Sequence, residues 1–112
     1  MSDIRIKSNI KELPSVTDKI SLLRPVTYTL NPDLPENTPA EIRDDILNKV
    51  QYGFIAQELQ EIFPELVTEA DDGLLSIQYA GLVPVLVKAF HEQQAQIDAL
   101  NKRIAELESS IK

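Results

Sequence analysis

The C-terminal part of the chain carries an apolar repeat that constrains the fold more than any other feature. With Val83 at heptad position a, the a and d positions are Val83, Leu86, Phe90, Gln93, Ile97, Leu100, Ile104, Leu107 and Ile111. A 3.5-residue spacing sustained in this way is typical of a coiled coil, because it keeps one seam facing a partner helix. At 1.5 Å per residue the helix is about 45 Å long, more than a small domain can cover. The sequence predicts that residues 81–112 form a coiled-coil helix covered by other copies of the chain.

The positions beside and within the seam indicate how the helices associate. Arg103 lies at g and Glu108 at the following e, a spacing at which an ion pair forms between parallel neighbours. Isoleucine at a with leucine at d favours two strands, and the polar Gln93 specifies register without fixing their number. On these residues alone we expect a parallel dimer. The alternative is a long amphipathic helix that packs on its own domain.

Residues 1–80 have the mixed pattern of a small α+β domain. Alternating residues predict a half-buried strand, a spacing of four predicts a helix, and Asp71-Asp72-Gly73 supplies the turn of a hairpin. The first predicted elements are a strand at Val26, Tyr28 and Leu30 and a proline-rich loop over residues 31–39. A helix then starts at Thr38-Pro39-Ala40-Glu41, carries Ile42, Ile46 and Val50 and is interrupted at Gly53. It is followed by a core helix over residues 54–63 that stops at Pro64, and by a hairpin of residues 66–69 with 74–79. The predicted fold class is thus α+β, with short helices and a β-hairpin before a long C-terminal helix.

The composition excludes several classes of function. Eighteen acidic and eleven basic residues give a formal net charge of −7, which disfavours nucleic acid or an anionic membrane as the main partner. The absence of cysteine excludes disulfides, zinc-thiolate sites and cysteine nucleophiles. No apolar stretch approaches the roughly 20 residues of a transmembrane helix, and the N-terminus lacks the apolar segment of a signal peptide. The acidic turn lacks the ligand pattern of a calcium loop, His91 lies at an outward position, and the glycines are isolated, so we expect no metal and no cofactor.

The N-terminal run Ser2-Asp3-Ile4-Arg5-Ile6-Lys7 contains a candidate catalytic pair. A serine can act as a nucleophile when a neighbouring neutral lysine accepts its proton, and Arg5 is a nearby cation that would favour the neutral lysine. The spacing alone is common in proteins. Neither a straight strand nor a helix brings positions 2 and 7 together, so the pair requires a bend in the chain or a lysine from another subunit.

A series of short motifs follows in order along nearly the whole chain. They are Ser2-Asp3-x-Arg5-x-Lys7 with Asn9-Ile10, then Leu23-Arg24-Pro25-Val26-Thr27-Tyr28, then Gly53-Phe54-Ile55-Ala56-Gln57-Glu58-Leu59, then Phe63-Pro64-Glu65-Leu66-Val67, and finally Tyr79 before the apolar helix. Together they resemble the endosialidase-type intramolecular chaperone family. Its members are autocleaving serine-lysine peptidase domains at the C-termini of phage tail spikes, fibres and neck appendages, and in myelin regulatory factor.

The resemblance implies a homotrimeric domain that assembles three passenger chains placed N-terminal to it. It is then released by cleavage of the peptide bond just before Ser2. On this pattern Ser2 is the nucleophile and Lys7 the general base of a single-turnover endopeptidase that acts on its own chain, with Asp3 and Arg5 as supporting residues. The resemblance also changes the expected number of helices in the coiled coil from two to three, which a seam with Phe90 and Gln93 does not exclude. Because Met1 stands where the passenger would end, we expect this chain to be the released form.

Two other functions stay open. One is a non-proteolytic oligomerisation module at the tip of a fibre protein, and the other is a regulatory or DNA-associated protein like the eukaryotic family member, which the acidic charge disfavours. For the family function, the expected partners are other copies of the chain and an N-terminal fibre or spike passenger, without nucleic acid or membrane. The expected location is the cytoplasm of a phage-infected or prophage-carrying bacterium during assembly, followed by release from the mature virion.

Overall fold

The computed structural model of the chain describes residues 1–31, 39–41 and 47–111. The helices whose two ends lie among the described residues are α1 (Thr17–Ile20), α2 (Ala56–Ile62) and α3 (Leu82–Ser110), and the strands are β1 (Val26–Tyr28), β2 (Gln51–Gly53), β3 (Val67–Glu69) and β4 (Leu75–Ile77). Single 3₁₀ turns occupy Ile4–Ile6, Pro64–Leu66 and Tyr79–Gly81. These elements confirm the predicted α+β class. The chain divides into two compact units, one of Met1–Ser21 with Tyr79–Lys112 and one of Leu22–Gln78.

The unit Leu22–Gln78 contains two antiparallel strand pairs. In the first, Val26 pairs with Gly53 and Tyr28 with Gln51. The predicted strand β1 therefore forms, but it ends before Leu30. The helix expected to reach Val50 and Gly53 is wrong at its C-terminal end, because β2 occupies residues 51–53. Pairing with β1 satisfies backbone groups of both short strands, which outweighs the weak helical spacing at Val50. Thr38, Ile42 and Ile46, which were expected in that helix, lie outside the described residues.

The predicted core helix and hairpin are confirmed in the same unit, but the helix begins only at Ala56, and Tyr79 lies in a 3₁₀ turn instead of the second strand. α2 ends at Ile62, and the N–H of the capping residue Phe63 donates to the Leu59 carbonyl over 2.7 Å just before Pro64, which prevents continuation. Leu59 is fully buried, and so is most of Phe63, four residues later. α2 packs on both strands of the hairpin. β3 pairs with β4 through a turn at Gly73, where a φ of +85° favours glycine.

The other unit is built around α3, a helix of 29 residues that confirms the predicted long C-terminal helix. Its first turns pack against α1, and the core here consists of Val16, Leu82 and Val85, which are 3%, 4% and 6% exposed. Leu82 and Val85 lie at heptad positions g and c, beside the predicted seam. Among the described residues, no helix is long and apolar enough to cross a membrane.

The predicted seam of α3 is uncovered in this chain. Its apolar members range from 47% exposed at Ile97 to 84% exposed at Ile111. Gln93 is exposed as well. The helix therefore packs on its own chain through the c and g positions while the a and d positions face outwards.

Candidate functional site

The N-terminal motif forms a 3₁₀ turn that bends the chain. Asp3 has extended backbone angles and caps this turn, because its carboxylate Oδ1 accepts the backbone N–H of Arg5 over 2.8 Å. The N–H of Ile6 donates to the Asp3 carbonyl, and the N–H of Lys7 donates to the Ile4 carbonyl. The backbone becomes extended again at Lys7. The turn thus places the side chains before and after it on the same side.

Ser2 and Lys7 meet across this turn. Lys7 Nζ donates to Ser2 Oγ over 3.2 Å, and both side chains are exposed. The bend that the sequence required for this pair is therefore the 3₁₀ turn, and the contact arises within one chain. A nucleophile and a base within hydrogen-bonding reach are the geometric minimum for general-base catalysis. The catalytic roles of the two residues stay a prediction.

The remaining motif residues, Asp3 and Arg5, bind each other. Arg5 Nε donates to Asp3 Oδ1 over 3.0 Å, and Arg5 Nη2 donates to Asp3 Oδ2 over 2.9 Å, so the guanidinium grips the carboxylate as a fork. This side-chain hydrogen bonding lowers the pKa of Asp3 and raises the pKa of Arg5. The charge of Arg5 is compensated by Asp3, and both side chains brace the turn that brings Ser2 to Lys7.

A second ion pair joins two of the other motifs. Arg24 Nε donates to Glu58 Oε1 over 3.1 Å, and Arg24 Nη2 donates to Glu58 Oε2 over 2.6 Å. Arg24 precedes β1 and Glu58 lies in the first turn of α2, which follows β2 directly. The pairing of Val26 with Gly53 brings these two chain segments side by side. The hydrogen bonds to Arg24 lower the pKa of Glu58.

Sequence reasoning missed a third carboxylate, Glu92 of α3. Its Oε1 accepts the N–H of Val16 over 2.8 Å, the N–H of Thr17 over 3.2 Å and the hydroxyl of Thr17 over 3.0 Å. A hydrogen bond from the Ser15 side chain, followed by those from Val16 and Thr17, lowers the pKa of Glu92 to about 2. Glu92 thus caps α1 from a position 76 residues away. The sequence did contain a signal for this contact. Leu82 and Val85 are apolar at positions g and c, which indicates a second buried face of α3, and Glu92 occupies the next c position.

The described residues contain no group of three or more His, Asp or Glu side chains arranged to hold a metal. His91 lies edge-on to Phe90, with ring centroids 6.2 Å apart. The polar groups at the N-terminal turn are the Ser2 hydroxyl, the Lys7 amine and the Asp3–Arg5 ion pair.

Comparison with known proteins gives matches over the same residues. The sequence profile of a peptidase family described as chaperone of endosialidase matches residues 2–68, which include the N-terminal turn and both partners of the Arg24–Glu58 pair. Long tail fiber protein Gp37 of Enterobacteria phage K3 is 32% identical over 114 residues and 98% of this chain. The same protein of Enterobacteria phage Ox2 is 32% identical over 88% of the chain.

A eukaryotic relative is similar over the same length. Myelin gene regulatory factor-like A of Dictyostelium discoideum is 30% identical over 122 residues and 99% of this chain. The chain spans only a part of each relative: 8% of the phage K3 protein, 38% of the phage Ox2 protein and 13% of the Dictyostelium protein. It is thus similar to one segment of proteins that are much longer.

Proposed function

The chain belongs to the chaperone of endosialidase family, and on this premise we propose that it is the intramolecular chaperone domain of a phage tail fibre or tail spike. Three copies associate through α3, hold three passenger chains in register and are then removed when the chain cuts the bond before Ser2. The tail-fibre passenger is supported by the tail-fibre relatives that match almost the full length of the chain. The setting is the cytoplasm of the bacterium in which the phage is assembled, and the domain is absent from the mature virion.

The assembly role rests on the uncovered seam of α3. Residues such as Phe90 and Leu100 are 64% and 62% exposed in the single chain, and burying such side chains contributes about 1.5–3 kcal/mol each. Association of the helices holds three attached passengers at high effective concentration, which lowers the entropic cost of aligning them. The number three is carried over from the resemblance, because the isoleucine and leucine pattern alone favours two.

The single observation that carries the self-cleavage role is the 3.2 Å contact between Lys7 Nζ and Ser2 Oγ. In the reaction the contact works in the opposite direction, because a neutral Lys7 amine accepts the proton of the Ser2 hydroxyl. The oxygen attacks the carbonyl carbon of the residue before Ser2. The proton then passes to the departing Ser2 nitrogen, which leaves the passenger as an ester on Ser2 Oγ. Water hydrolyses this ester, so one water is consumed for each bond cut.

A second candidate function is association without proteolysis. The observation in its favour is that Ser2 and Lys7 are both exposed, whereas a catalytic pair usually lies in a pocket that excludes water. On this alternative the N-terminal turn is only a structural motif, and the exposed seam carries the whole function.

The test places a passenger of a phage tail fibre in front of Ser2 and follows the length of the product. We expect the parent to be cut before Ser2. Lys7→Ala should be cut at least about 100-fold more slowly, because a general base contributes that much, and Ser2→Ala should not cut itself, because it lacks the attacking oxygen. Ser8→Ala is the matched control, since Ser8 is exposed in the same segment and should not change the rate. Intact mass and denaturing gels report the cut, and sedimentation equilibrium reports the number of chains.

Each departure from this pattern has a definite meaning. A parent that associates as a trimer and stays full length contradicts self-cleavage and favours the non-proteolytic module. Equal cutting of the parent, Ser2→Ala and Lys7→Ala means that an outside protease acts. A two-chain assembly contradicts the trimer and leaves the dyad in place.

A further inference from the structure

The segment that follows the Ser2–Lys7 pair lies along the first turns of α3. We call residues 12–21 the docked segment. Leu13 lines a groove together with Val83, Pro84 and Val87 of α3, and Val16 is buried at 3% exposure. The docked segment thus covers part of α3 and belongs to the same compact unit.

The second half of the docked segment, α1, borders the seam. Thr17 and Ile20 line a second groove together with Leu86, Phe90 and Gln93, which occupy consecutive d, a and d positions. A neighbouring helix that covers these seam residues therefore also meets α1. Leu86, Phe90 and Gln93 therefore lie where association of the helices and docking of α1 meet.

Glu92 is the polar contact that holds α1 in this place. Val16, the residue that caps α1, makes no side-chain capping bond of its own. The N–H groups of Val16 and Thr17 instead donate to Glu92 Oε1, and the Thr17 hydroxyl donates to the same oxygen. Hydrogen bonds to an ionised acceptor are stronger than neutral ones, so Glu92 fixes the start of α1 on α3.

The docked segment limits where the N-terminal turn can go. Lys7 precedes residue 12 by five residues, which span at most about 17 Å even when fully extended. If the docked segment is released, the free chain between Lys7 and Leu22 is fifteen residues and reaches about 50 Å. Docking therefore confines Ser2 and Lys7 to the neighbourhood of the first turns of α3. Under the proposed function, this is where the three chains meet.

We propose that Glu92 is a positioning residue, which couples association of the α3 helices to the placement of the Ser2–Lys7 pair by holding the docked segment beside the seam. The cleavage part of this inference rests on the proposed function, whereas the docking part does not. Glu92 touches neither Ser2 nor the bond to be cut, and it acts through α1.

The experiment uses the passenger fusion with Glu92→Ala, Glu92→Gln and the control Glu106→Ala. Glu106 is exposed and occupies the same heptad position c two repeats later. We expect Glu92→Ala to assemble with the same mass as the parent, to lose at least 10-fold of the hydrogen-exchange protection at the Val16 and Thr17 amides, and to be cut at least 10-fold more slowly. Glu92→Gln, which keeps one accepting oxygen, should be intermediate, and Glu106→Ala should match the parent.

The variant Ile97→Asp, which disrupts the seam, tests whether association of the α3 helices is coupled to docking of α1. Protection of the Val16 and Thr17 amides should fall when the helices separate, and protection equal to that of the assembled parent would overturn the coupling. The inference also fails if Glu92→Ala keeps both the protection and the cleavage rate of the parent.

Two further outcomes are decided by other variants. If Glu92→Ala does not assemble, Thr17→Val is used instead, because it removes a donor to Glu92 without changing α3. This variant should lower amide protection and the cleavage rate about 2-fold to 5-fold. If it changes neither, the inference is overturned. If the parent itself is never cut, the proposed self-cleavage is wrong, and hydrogen exchange alone then decides the role of Glu92.

Discussion

Two carboxylates, Asp3 and Glu92, organise the N-terminal part of the chain by accepting backbone N–H groups at the start of a helical turn. Asp3 acts locally and caps the turn between Ser2 and Lys7. Glu92 acts from α3 and caps α1. The first N–H groups of a helix have no partner within it, which explains why a carboxylate is effective at each place. The two acids differ in how far along the chain they reach.

The ionisation of Glu92 makes docking of α1 dependent on pH. Its pKa in the folded chain is about 2, against 4.5 for the unperturbed side chain, so its contribution is complete above about pH 4.5 and is lost as the pH falls through about 2. We expect the amide resonances of Val16 and Thr17 to titrate with an inflection near pH 2, followed by NMR. In Glu92→Gln this inflection should disappear, whereas an inflection near 4.5 in the parent contradicts the contact.

At the scale of elements, two of the sequence motifs in the Leu22–Gln78 unit meet where β1, β2 and α2 come together. β1 and β2 pair, α2 starts directly after β2, and the Arg24–Glu58 ion pair ties the start of β1 to the first turn of α2. Leu59, the neighbour of Glu58, is fully buried in the same turn. The ion pair thus lies at the edge of the place where the helix enters the core.

The Arg24–Glu58 pair should add only modestly to stability. Its side chains are 61% and 43% exposed, and exposed ion pairs contribute little because water screens them. In a double-mutant cycle of Arg24→Gln and Glu58→Gln, the shifts of the urea unfolding midpoint should be nearly additive, and any departure from additivity should shrink at 1 M salt. A large departure from additivity that is insensitive to salt would show that water does not screen the pair.

The sequence predicted those elements whose signal is local. The period of α3, the alternation in β1 and the turn at Gly73 are readable from neighbouring residues, and all three are present. β2 was missed because its three residues are recognisable only by pairing with a strand more than twenty positions earlier. From the sequence we could predict that the Ser2–Lys7 contact requires a bend, but not which residues form it. The bend is stabilised by hydrogen bonds from Arg5 to the Asp3 carboxylate, which residue spacing does not reveal.

At the scale of the whole molecule, α3 uses two faces for two kinds of contact. Leu82 and Val85 are buried by the chain itself. Seam residues such as Val83 and Leu86 alternate with them in sequence and are 59% and 54% exposed. The exposed stripe continues beyond Gln93, where the docked segment no longer accompanies the helix.

The distal part of the seam should control how tightly the helices associate. We expect Ile97→Asp to raise the dissociation constant of the helices at least about 100-fold, because a charge at position a must be buried or the seam left open. Sedimentation equilibrium measures this change. Ala105→Asp is the matched control at the outward position b, and it should leave the assembly intact; equal effects of both variants would contradict the seam.

The division of α3 into two faces also has a consequence for how its sequence can vary. In the first turns one face packs on the chain itself and the other carries the seam, so substitutions should be tolerated at few positions. Beyond Gln93 only the seam is constrained, and the intervening residues should vary freely as long as they favour a helix. Because a heptad preserves the phase of the seam, whole repeats of seven residues can be inserted or deleted there without displacing α1. The length of the tail is therefore adjustable in steps, independently of the segment that holds the N-terminal turn.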